Sequence, residues 1–301
     1  MHVSAETQKG VFLTRVVTND PVCRDHWRFV LEVRDFPLTE PGQFVQVLCR
    51  EPNDDATPGD GAYIRRPFSI AGLSRDNRVT RIEIIHRLVG RGTHWLSHLN
   101  PGDSVSILGP LGHPFTLAED RPTAYIVGGG CGLPPLIWLA RALRASGKTV
   151  IAFCGARSAD LLPLTRHRQA QVLTDQPTLA VTEFADCGVP VLISTDDGSL
   201  GFAGSAAQAF ARYLHAHLEE DSSAVVYSCG PDAMMHATAD LAEQYNIPCQ
   251  VCLERMMACG MGTCQSCVVR IRDASDPKGW VYRLCCTDGP VFDSRVVIWE
   301  N

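Results

Sequence analysis

The cysteines near the C-terminus limit most strongly what this chain can fold into. The 301 residues contain 13 cysteines, and the last part of the chain holds Cys249, Cys252, Cys259, Cys264, Cys267, Cys285 and Cys286. The run Cys259-x4-Cys264-x2-Cys267, followed by a later cysteine, has the spacing of a plant-type 2Fe–2S cluster. Glycines at 260 and 262 allow a tight loop whose backbone N–H groups point at the cluster sulfurs and tune the reduction potential. The tail therefore predicts a 2Fe–2S cluster.

Zinc is the alternative metal, because four thiolates also bind Zn²⁺. Structural zinc sites usually have short paired spacers in both halves, and here the second half offers only adjacent cysteines. Neighbouring side chains in an extended segment point in opposite directions, so only one of Cys285 and Cys286 can face the cluster. The spacing leaves open which of the two is the fourth ligand. We expect Cys249 and Cys252 to be thiols of a strand.

The rest of the chain divides into two patterns, so the prediction is a multidomain protein. Between residues 10 and 118, short alternating apolar runs separated by Gly, Pro, Asn and Asp predict a closed antiparallel β-barrel. Strands then alternate with helices, which are expected at 136–146, 205–218 and 233–245, and this predicts an α/β parallel-sheet nucleotide-binding domain. We expect a barrel domain at 8–118, an α/β domain at 119–248 and a small cluster domain at 249–301.

Composition and charge exclude several partners. The net charge is −6 with no basic run, which argues against nucleic acid, because phosphate binding needs clustered Lys and Arg. No stretch approaches the roughly 18 apolar residues of a membrane span, and residues 1–10 lack the apolar core of a secretory signal. A cytoplasmic protein with no membrane partner is expected.

Two motifs in the barrel segment favour a flavin. A flavin needs a cation for its phosphates, a flat or apolar side chain beside its ring and a donor near N5, and Arg66, Phe68 and Ser69 can supply these three. Further on, a strand ending at 85–87 runs into Gly-Arg-Gly-Thr and a helix start, which presents free N–H groups to phosphate. The alternatives are a surface strand and a helix capped by Thr93.

A third motif favours a nicotinamide dinucleotide. The segment 127–135 follows a strand, opens a helix and contains Gly128, Gly129, Gly130 and Gly132, so backbone amides can approach a pyrophosphate. It lacks the G-x-G-x-x-G order, and a plain turn is the alternative. Ligands lie at the carboxyl ends of parallel strands, so Cys229, Gly230 and Pro231 should share this site. Cys229 is either beside the nicotinamide ring or simply buried.

Residues after two other strands bear on the choice between NAD and NADP. The segment Thr195-Asp196-Asp197-Gly198-Ser199 can place an acid near a ribose hydroxyl, although a solvated turn is its more ordinary role. Arg157 can contact a 2′-phosphate, so the sequence alone does not decide between the two dinucleotides. The lone histidines receive no role. Hydride transfer between nicotinamide and flavin needs no general base from the protein, so no catalytic residue is predicted.

In this order the motifs resemble the ferredoxin–NADP reductase superfamily. The segments Glu254-Arg255-Met256-Met257-Ala258-Cys259-Gly260-Met261-Gly262-Thr263-Cys264 and Cys286-Thr287-Asp288-Gly289-Pro290-Val291-Phe292 look like those of the electron-transfer subunits of NAD-dependent, type B dihydroorotate dehydrogenases. The resemblance implies FAD bound by Arg66, Pro67, Phe68, Ser69, Ile85, His86, Arg87, Gly92 and Thr93. It implies cluster ligands Cys259, Cys264, Cys267 and Cys286, since the family's fourth cysteine stands two residues before the acid, here Asp288.

The sequence departs from the family pattern at two positions. His86 stands where the family usually has Tyr, and Cys131 where it usually has an aliphatic residue. The first change leaves the contact with the flavin ring open. The second is small and should leave the turn intact.

The resemblance also implies a relay in pyrimidine biosynthesis. An FMN-containing catalytic partner would oxidise dihydroorotate, and electrons would pass through the cluster and FAD to NAD⁺ in a heterotetramer. Two alternatives remain: the flavin subunit of a ferredoxin-dependent NAD(P) reductase or cytosolic hydrogenase, and a zinc-stapled interaction module without redox function.

Overall fold

The first half of the chain is an antiparallel sheet curled into a barrel. The computed structural model describes residues 9–50, 62–167, 169–217 and 223–299. Its first seven strands are β1 (Gly10–Cys23), β2 (His26–Arg34), β3 (Phe44–Val47), β4 (Arg66–Ser69), β5 (Gly72–Asp76), β6 (Val79–Arg87) and β7 (Ser104–Leu111), with helix α1 (Arg91–Ser97) after β6. They are ordered β4-β3-β7-β1-β2-β6-β5. In β2, Phe29, Leu31 and Val33 alternate with more exposed residues and form the inner face.

Two residues bring the edges of this sheet together. Ile70 and Ala71 connect the edge strands β4 and β5. Ile70 N donates to Gln43 O at 3.5 Å, and Ala71 N donates to Glu83 O at 2.8 Å. Backbone hydrogen bonds therefore hold the connection between the two edge strands in place. The predicted antiparallel β-barrel is confirmed as a barrel-like curled sheet.

The second sheet is of the nucleotide-binding kind. Its strands are β8 (Thr123–Gly129), β9 (Thr149–Ala156), β10 (Val191–Thr195), β11 (Phe202–Ala203), β12 (Ala224–Cys229), β13 (Cys249–Cys252) and β16 (Val291–Asp293), in the order β11-β10-β9-β8-β12-β13-β16. All neighbouring pairs are parallel except β13 with β16. The predicted α/β fold is confirmed.

Four helices accompany this sheet: α2 (Leu133–Ala145), α3 (Thr182–Ala185), α4 (Ala206–His217) and α5 (Asp232–Gln244). Helix α2 begins before the predicted start at 136, because Pro134 and Pro135 lie in its first turn, where a missing N–H costs no hydrogen bond. No helix in the described ranges is both long and apolar enough to cross a bilayer.

The cysteine-rich segment is inserted between β13 and β16. A loop leads from β13 into the hairpin β14 (Val268–Arg272) and β15 (Trp280–Leu284). The prediction of a strand at 296–299 is wrong. Of these four residues only Val297 forms a β-bridge, and its partner is Ile271. The reason is local, since the N–H groups of Val296 and Val297 donate to Asp293 O and Ser294 O in a turn.

One apolar core joins all three parts. Cys267, Cys285 and Cys286 are buried in the same cluster as Phe44 and Leu111 of the barrel. The cluster also holds residues of the parallel sheet: Tyr125, Val127, Val226 and Val251. The cysteine-rich segment is thus packed against both larger parts of the fold.

Candidate redox and nucleotide site

The cysteine loop winds tightly because it uses left-handed backbone conformations. Gly260 has φ +73° and Gly262 has φ +87°, and Gln265 has φ +56°. Such values favour glycine, and glycine occupies two of the three positions. The amides turn inward as a result: the N–H groups of Met261 and Cys264 both donate to Cys259 Sγ at 3.4 Å.

The four predicted ligands lie in two pairs. Cys259 and Cys264 are joined by that backbone hydrogen bond, and Cys286 lies near Cys267, with which it is buried in one apolar cluster. Among the described residues, no three His, Cys, Asp or Glu side chains are grouped as ligands of one metal ion. Paired sulfurs are what a two-iron cluster needs, since each iron takes two thiolates.

The two pairs differ in their thiol chemistry. Hydrogen bonds, first from the Ser266 hydroxyl at 3.2 Å and then from backbone amides, lower the pKa of Cys264 to about 6. Burial, and next the Cys267 thiol, raise the pKa of Cys286 to about 12. Cys264 therefore already favours the thiolate that metals bind, whereas Cys286 would release its proton when metal binds.

Cys285 and Cys286 point in different directions. Cys285 is fully buried, and its thiol donates to Leu253 O at 3.2 Å. Cys286 lies near the loop, because Cys267, Gly262 and Cys259 all influence the pKa of its thiol. The sequence predicts that only one of these cysteines faces the loop, and in the structure Cys286 does so.

The two arginines of the first flavin motif have different surroundings. Arg65 is held within the barrel, where it donates to Ser106 O and Ser106 Oγ, each at 2.8 Å. Arg66 is exposed, and within the described ranges it donates only to the nearby carbonyl oxygens of Ile64 and Arg65. Arg66 is thus the cation available to an anionic ligand. Pro67, Phe68 and Ser69 follow it on β4 and are half-buried.

The second flavin motif leads into α1. Gly92 is buried, and a Cβ there would lie 3.1 Å from Cys49 Cβ. The helix begins after Gly90, so Thr93 is not the N-cap residue. Its hydroxyl instead accepts from Val89 N at 2.9 Å and Gly90 N at 3.2 Å. Ile85 is buried and Arg87 half-buried on β6.

His86 fits a site that a bound group completes. It is 2% exposed, yet no described residue is a hydrogen-bond partner of either ring nitrogen. Burial, and next the nearby His26, lower its pKa to about 4, so the ring is neutral at pH 7. The rings of His86 and Phe68 meet edge-on with centroids 5.9 Å apart. Buried polar atoms are nearly always hydrogen-bonded, so orphaned nitrogens beside the flavin motif are what a flavin site would show.

A cleft of about 590 Å³ opens between the barrel and the carboxyl ends of the parallel strands. Its lining includes Gly129, Gly130, Gly132, Gly230 and Pro231 from the predicted nicotinamide motifs, Arg157 and Asp196 from two other strand ends, and Cys131. These are the residues that the strand-end rule expects together. The backbones approach closely, since a Cβ on Gly132 would lie 2.2 Å from Cys229 O.

Two motif residues lie behind the lining of this cleft. A Cβ on Gly128 would lie 2.5 Å from Leu136 Cδ1, so this glycine allows α2 to pack on the sheet. Cys229 is 6% exposed, pairs in register with Cys252 and is buried with it in one apolar cluster. Its side chain therefore lies beside that of Cys252 on the same face of the sheet.

The barrel also contributes His26 to the lining of the cleft, a residue that no sequence motif singles out. His26 lines the cleft together with Arg87 and Glu254. His26 Nδ1 lies 2.9 Å from Arg24 O, a hydrogen bond in which the ring must be the donor. Nε2 is buried and has no partner in the part of the chain that the structure describes. No local motif marks His26, because it reaches the cleft through the pairing of β2 with β6, opposite Arg87.

Buried charges fix the barrel to the α/β sheet. Glu183 on α3 is 2% exposed and is paired with Arg28 of β2. Both of its oxygens also accept from Thr165 N at 3.0 Å. Arg28 Nε in turn lies 3.2 Å from Glu83 Oε1 of β6. This network joins β2 and β6 of the barrel to α3 of the α/β part.

Comparison with known proteins places this chain among its relatives. The family model described as the iron–sulfur cluster binding domain of dihydroorotate dehydrogenase B matches residues 254–298. The electron transfer subunit of dihydroorotate dehydrogenase B (NAD(+)) from Desulforamulus reducens is 35% identical over 87% of this chain and 88% of its own length. The chain belongs to this family of electron transfer subunits. The subunit of the same name from Caldanaerobacter subterraneus is 30% identical over 95% of this chain and 97% of its own length.

Solved structures of other reductases share the fold of this chain. The NADH-dependent reduced ferredoxin-NADP oxidoreductase, an enzyme of flavin-based electron bifurcation, matches with a TM-score of 0.73 and 26% identity over 99% of this chain and 92% of that one. Phthalate dioxygenase reductase shares the fold, with a TM-score of 0.55 and 19% identity over 94% of this chain and 98% of that one.

Family membership confirms the predicted class of activity. The chain is an oxidoreductase electron transfer subunit with FAD, a 2Fe–2S cluster and NAD as its cofactors. The paired cysteines, the orphaned His86 nitrogens and the glycine-lined cleft each fit one of these groups. The relatives are named as electron transfer subunits, which implies that a catalytic subunit is their partner.

Proposed function

We propose that this chain accepts electrons from an FMN-containing partner that oxidises dihydroorotate to orotate, and delivers them to NAD⁺. In this proposal it acts in the cytoplasm, within a heterotetramer, as part of pyrimidine biosynthesis. Its three parts are the barrel at 8–118, the α/β domain at 119–248 and the cluster domain at 249–301. The last of these contributes β13 and β16 to the nucleotide-binding sheet.

The observation that carries this proposal is that the cysteine loop shares one apolar core with the barrel and the parallel sheet. Cys267 and Cys286 are buried with Phe44 of the barrel and Val127 of the parallel sheet. Electron transfer requires a short and rigid arrangement of cofactors, and one apolar core supplies it. Buried side chains therefore hold the cluster ligands against both cofactor-binding parts.

Each proposed site has its own residues. Cys259, Cys264, Cys267 and Cys286 hold the cluster. Arg66, Pro67, Phe68, Ser69, Ile85, His86, Arg87, Gly92 and Thr93 hold FAD. Gly128, Gly129, Gly130, Gly132, Cys229, Gly230 and Pro231 form the nucleotide site, where Gly128 and Cys229 support the loops from behind. The bound cofactors supply the redox chemistry, and the protein supplies distance, orientation and exclusion of water.

Substitution of adjacent cysteines tests the ligand set. We expect Cys286→Ser and Cys264→Ser to lose iron while they keep flavin and NADH-dependent dye reduction, because the barrel and cleft do not depend on the metal. Cys285→Ser is the matched control and should keep its iron, since a serine hydroxyl can still donate to Leu253 O. Iron retained in Cys286→Ser and lost in Cys285→Ser would refute the assignment.

Reconstitution with the partner tests the substrate. The protein copurified with the product of a neighbouring gene should reduce NAD⁺ when dihydroorotate is added, and the mass of the complex gives its stoichiometry. The structural match to a reduced ferredoxin-NADP oxidoreductase makes reduced ferredoxin the competing electron donor. Activity with ferredoxin and none with dihydroorotate would contradict the proposal.

A further inference from the structure

A buried glutamine lies where the barrel meets the cysteine loop. Gln46 on β3 is 0% exposed, and neither Nε2 nor Oε1 has a hydrogen-bond partner among the described residues. A buried amide left unpaired costs free energy, and native structures contain few such groups. Gln46 therefore calls for a partner that the described part of the chain does not supply.

Gln43 shows that this part of the fold can satisfy a buried glutamine. It stands just before β3 and is 8% exposed. Its Oε1 accepts from Glu40 N at 3.0 Å, and its Nε2 donates to Gly112 O at 2.9 Å. The two glutamines are close in sequence and in burial, and only Gln46 lacks partners.

The strand register places Gln46 next to the flavin motif. In the antiparallel pair of β3 and β4, Gln46 lies opposite Pro67, and Phe44 lies opposite Ser69. Residues opposite each other share one face of a sheet, and the face alternates along each strand. Gln46 thus stands on the face of Pro67 and Ser69, while Val45 and Val47 belong to the barrel core.

The cluster loop covers that face. A Cβ on Gly260 would lie 2.7 Å from both Cγ and Nε2 of Gln46. Gly260 follows the proposed ligand Cys259 directly, and its left-handed φ of +73° lets the loop come this close. The carboxamide of Gln46 therefore lies against the loop that holds the proposed cluster, on the face of β3 and β4 that carries Pro67 and Ser69.

We propose that Gln46 is a positioning residue for electron transfer and donates an N–H···S hydrogen bond from Nε2 to the sulfurs of the bound cluster. The inference rests on the proposed cluster site. Such hydrogen bonds stabilise the negative charge that a cluster gains on reduction, and so raise its reduction potential. Gln46 also fixes the loop against the strand pair that carries the flavin motif.

A matched pair of substitutions tests this role. Gln46→Met keeps an unbranched chain of similar length and removes the donor. In Gln46→Met we expect the ratio of oxidised to reduced cluster at a fixed potential to rise about tenfold. For one electron this corresponds to a reduction potential about 59 mV lower. The measurement is an anaerobic redox titration of the cofactor-loaded protein, followed by electron paramagnetic resonance (EPR). Gln43→Met, which loses ordinary protein hydrogen bonds, should leave the potential unchanged.

Pulsed EPR provides a second readout that does not depend on Gln46→Met folding. With ¹⁵N in the glutamine side-chain amides, the reduced cluster should show a coupled nitrogen. Gln265 lies in the loop itself, so the label is read in a Gln265→Asn background, because Asn also tolerates a left-handed backbone. Absence of this coupling, an unchanged potential in Gln46→Met, or an equal shift in Gln43→Met would overturn the inference. Protein that takes up no iron at all would instead refute the proposed cluster.

Discussion

Replacing Gly132 by alanine should weaken dinucleotide binding through one steric contact. Gly132 has φ −81° and ψ −11°, values that alanine adopts freely, so backbone strain plays no part. The added Cβ would lie 2.2 Å from Cys229 O and 2.4 Å from Gly230 N. The loop carrying Gly132 must therefore move away from the loop carrying Gly230, and both loops line the cleft.

The size of the effect follows from the overlap. Overpacking of this kind costs about 1–3 kcal/mol. If the displacement falls on the nucleotide-binding geometry, NADH should bind about 5- to 150-fold more weakly. The assay is a titration of the FAD-loaded protein with NADH under anaerobic conditions, which yields Kd directly.

Gly147→Ala is the control that separates loss of stability from loss of binding. Gly147 follows α2 with φ +84° and has no atom within 4 Å of an added Cβ. Left-handed strain should reduce stability by about 1–2 kcal/mol and leave the Kd for NADH unchanged. A folded Gly132→Ala protein that binds NADH like the wild type would refute the steric argument.

Three further predictions concern the flavin and the stability of the fold. Arg66→Ala should weaken FAD retention about 10-fold or more, the value of a charge-assisted hydrogen bond, since Arg66 otherwise contacts only nearby carbonyls; equal flavin content after gel filtration would contradict this. Glu183→Ala should lower the free energy of unfolding by about 1–3 kcal/mol, because Thr165 N loses its acceptor while Arg28 keeps Glu83, whereas Asp35→Ala, which removes an exposed pair with Arg78, should change little; equal denaturation midpoints would count against the network. Burial first, and then His26, lower the pKa of His86 from 6.5 to about 4, so the unfolded chain binds more protons in this range and the FAD-free protein should lose up to about 3 kcal/mol of stability as pH falls from about 6.5 to 4; the loss should shrink in His86→Phe, and an equally steep pH dependence there would assign it to other groups.

The sequence predicts the fold well because each part has a strong local pattern. Alternating apolar runs specify the barrel, and strand–helix alternation specifies the parallel sheet. Boundaries move where local chemistry intervenes, as at Pro134 and Pro135, which extend α2 toward its N-terminus. The turn at Asp293–Val297 uses the N–H groups that a terminal strand would have needed.

The candidate site is less predictable because it is assembled from distant segments. His26 and Gln46 carry no motif, and their significance appears only when β2 meets the nucleotide cleft and β3 meets Gly260. Cys229 occupies a predicted motif, yet its side chain turns to Cys252, since the two residues pair across neighbouring strands. Whether a strand residue faces the ligand depends on a register that the sequence alone leaves unspecified.

Reduction of the isolated chain by NADH is the most direct test of the central claim that one core connects a dinucleotide cleft, a flavin and a 2Fe–2S cluster. The anaerobic, cofactor-loaded protein is mixed with NADH and frozen for EPR, without any partner. The account predicts the signal of a reduced 2Fe–2S cluster in the wild type and its loss in Cys264→Ser, with flavin bleaching in both. Flavin bleaching in the wild type with an EPR-silent, iron-loaded cluster would contradict it.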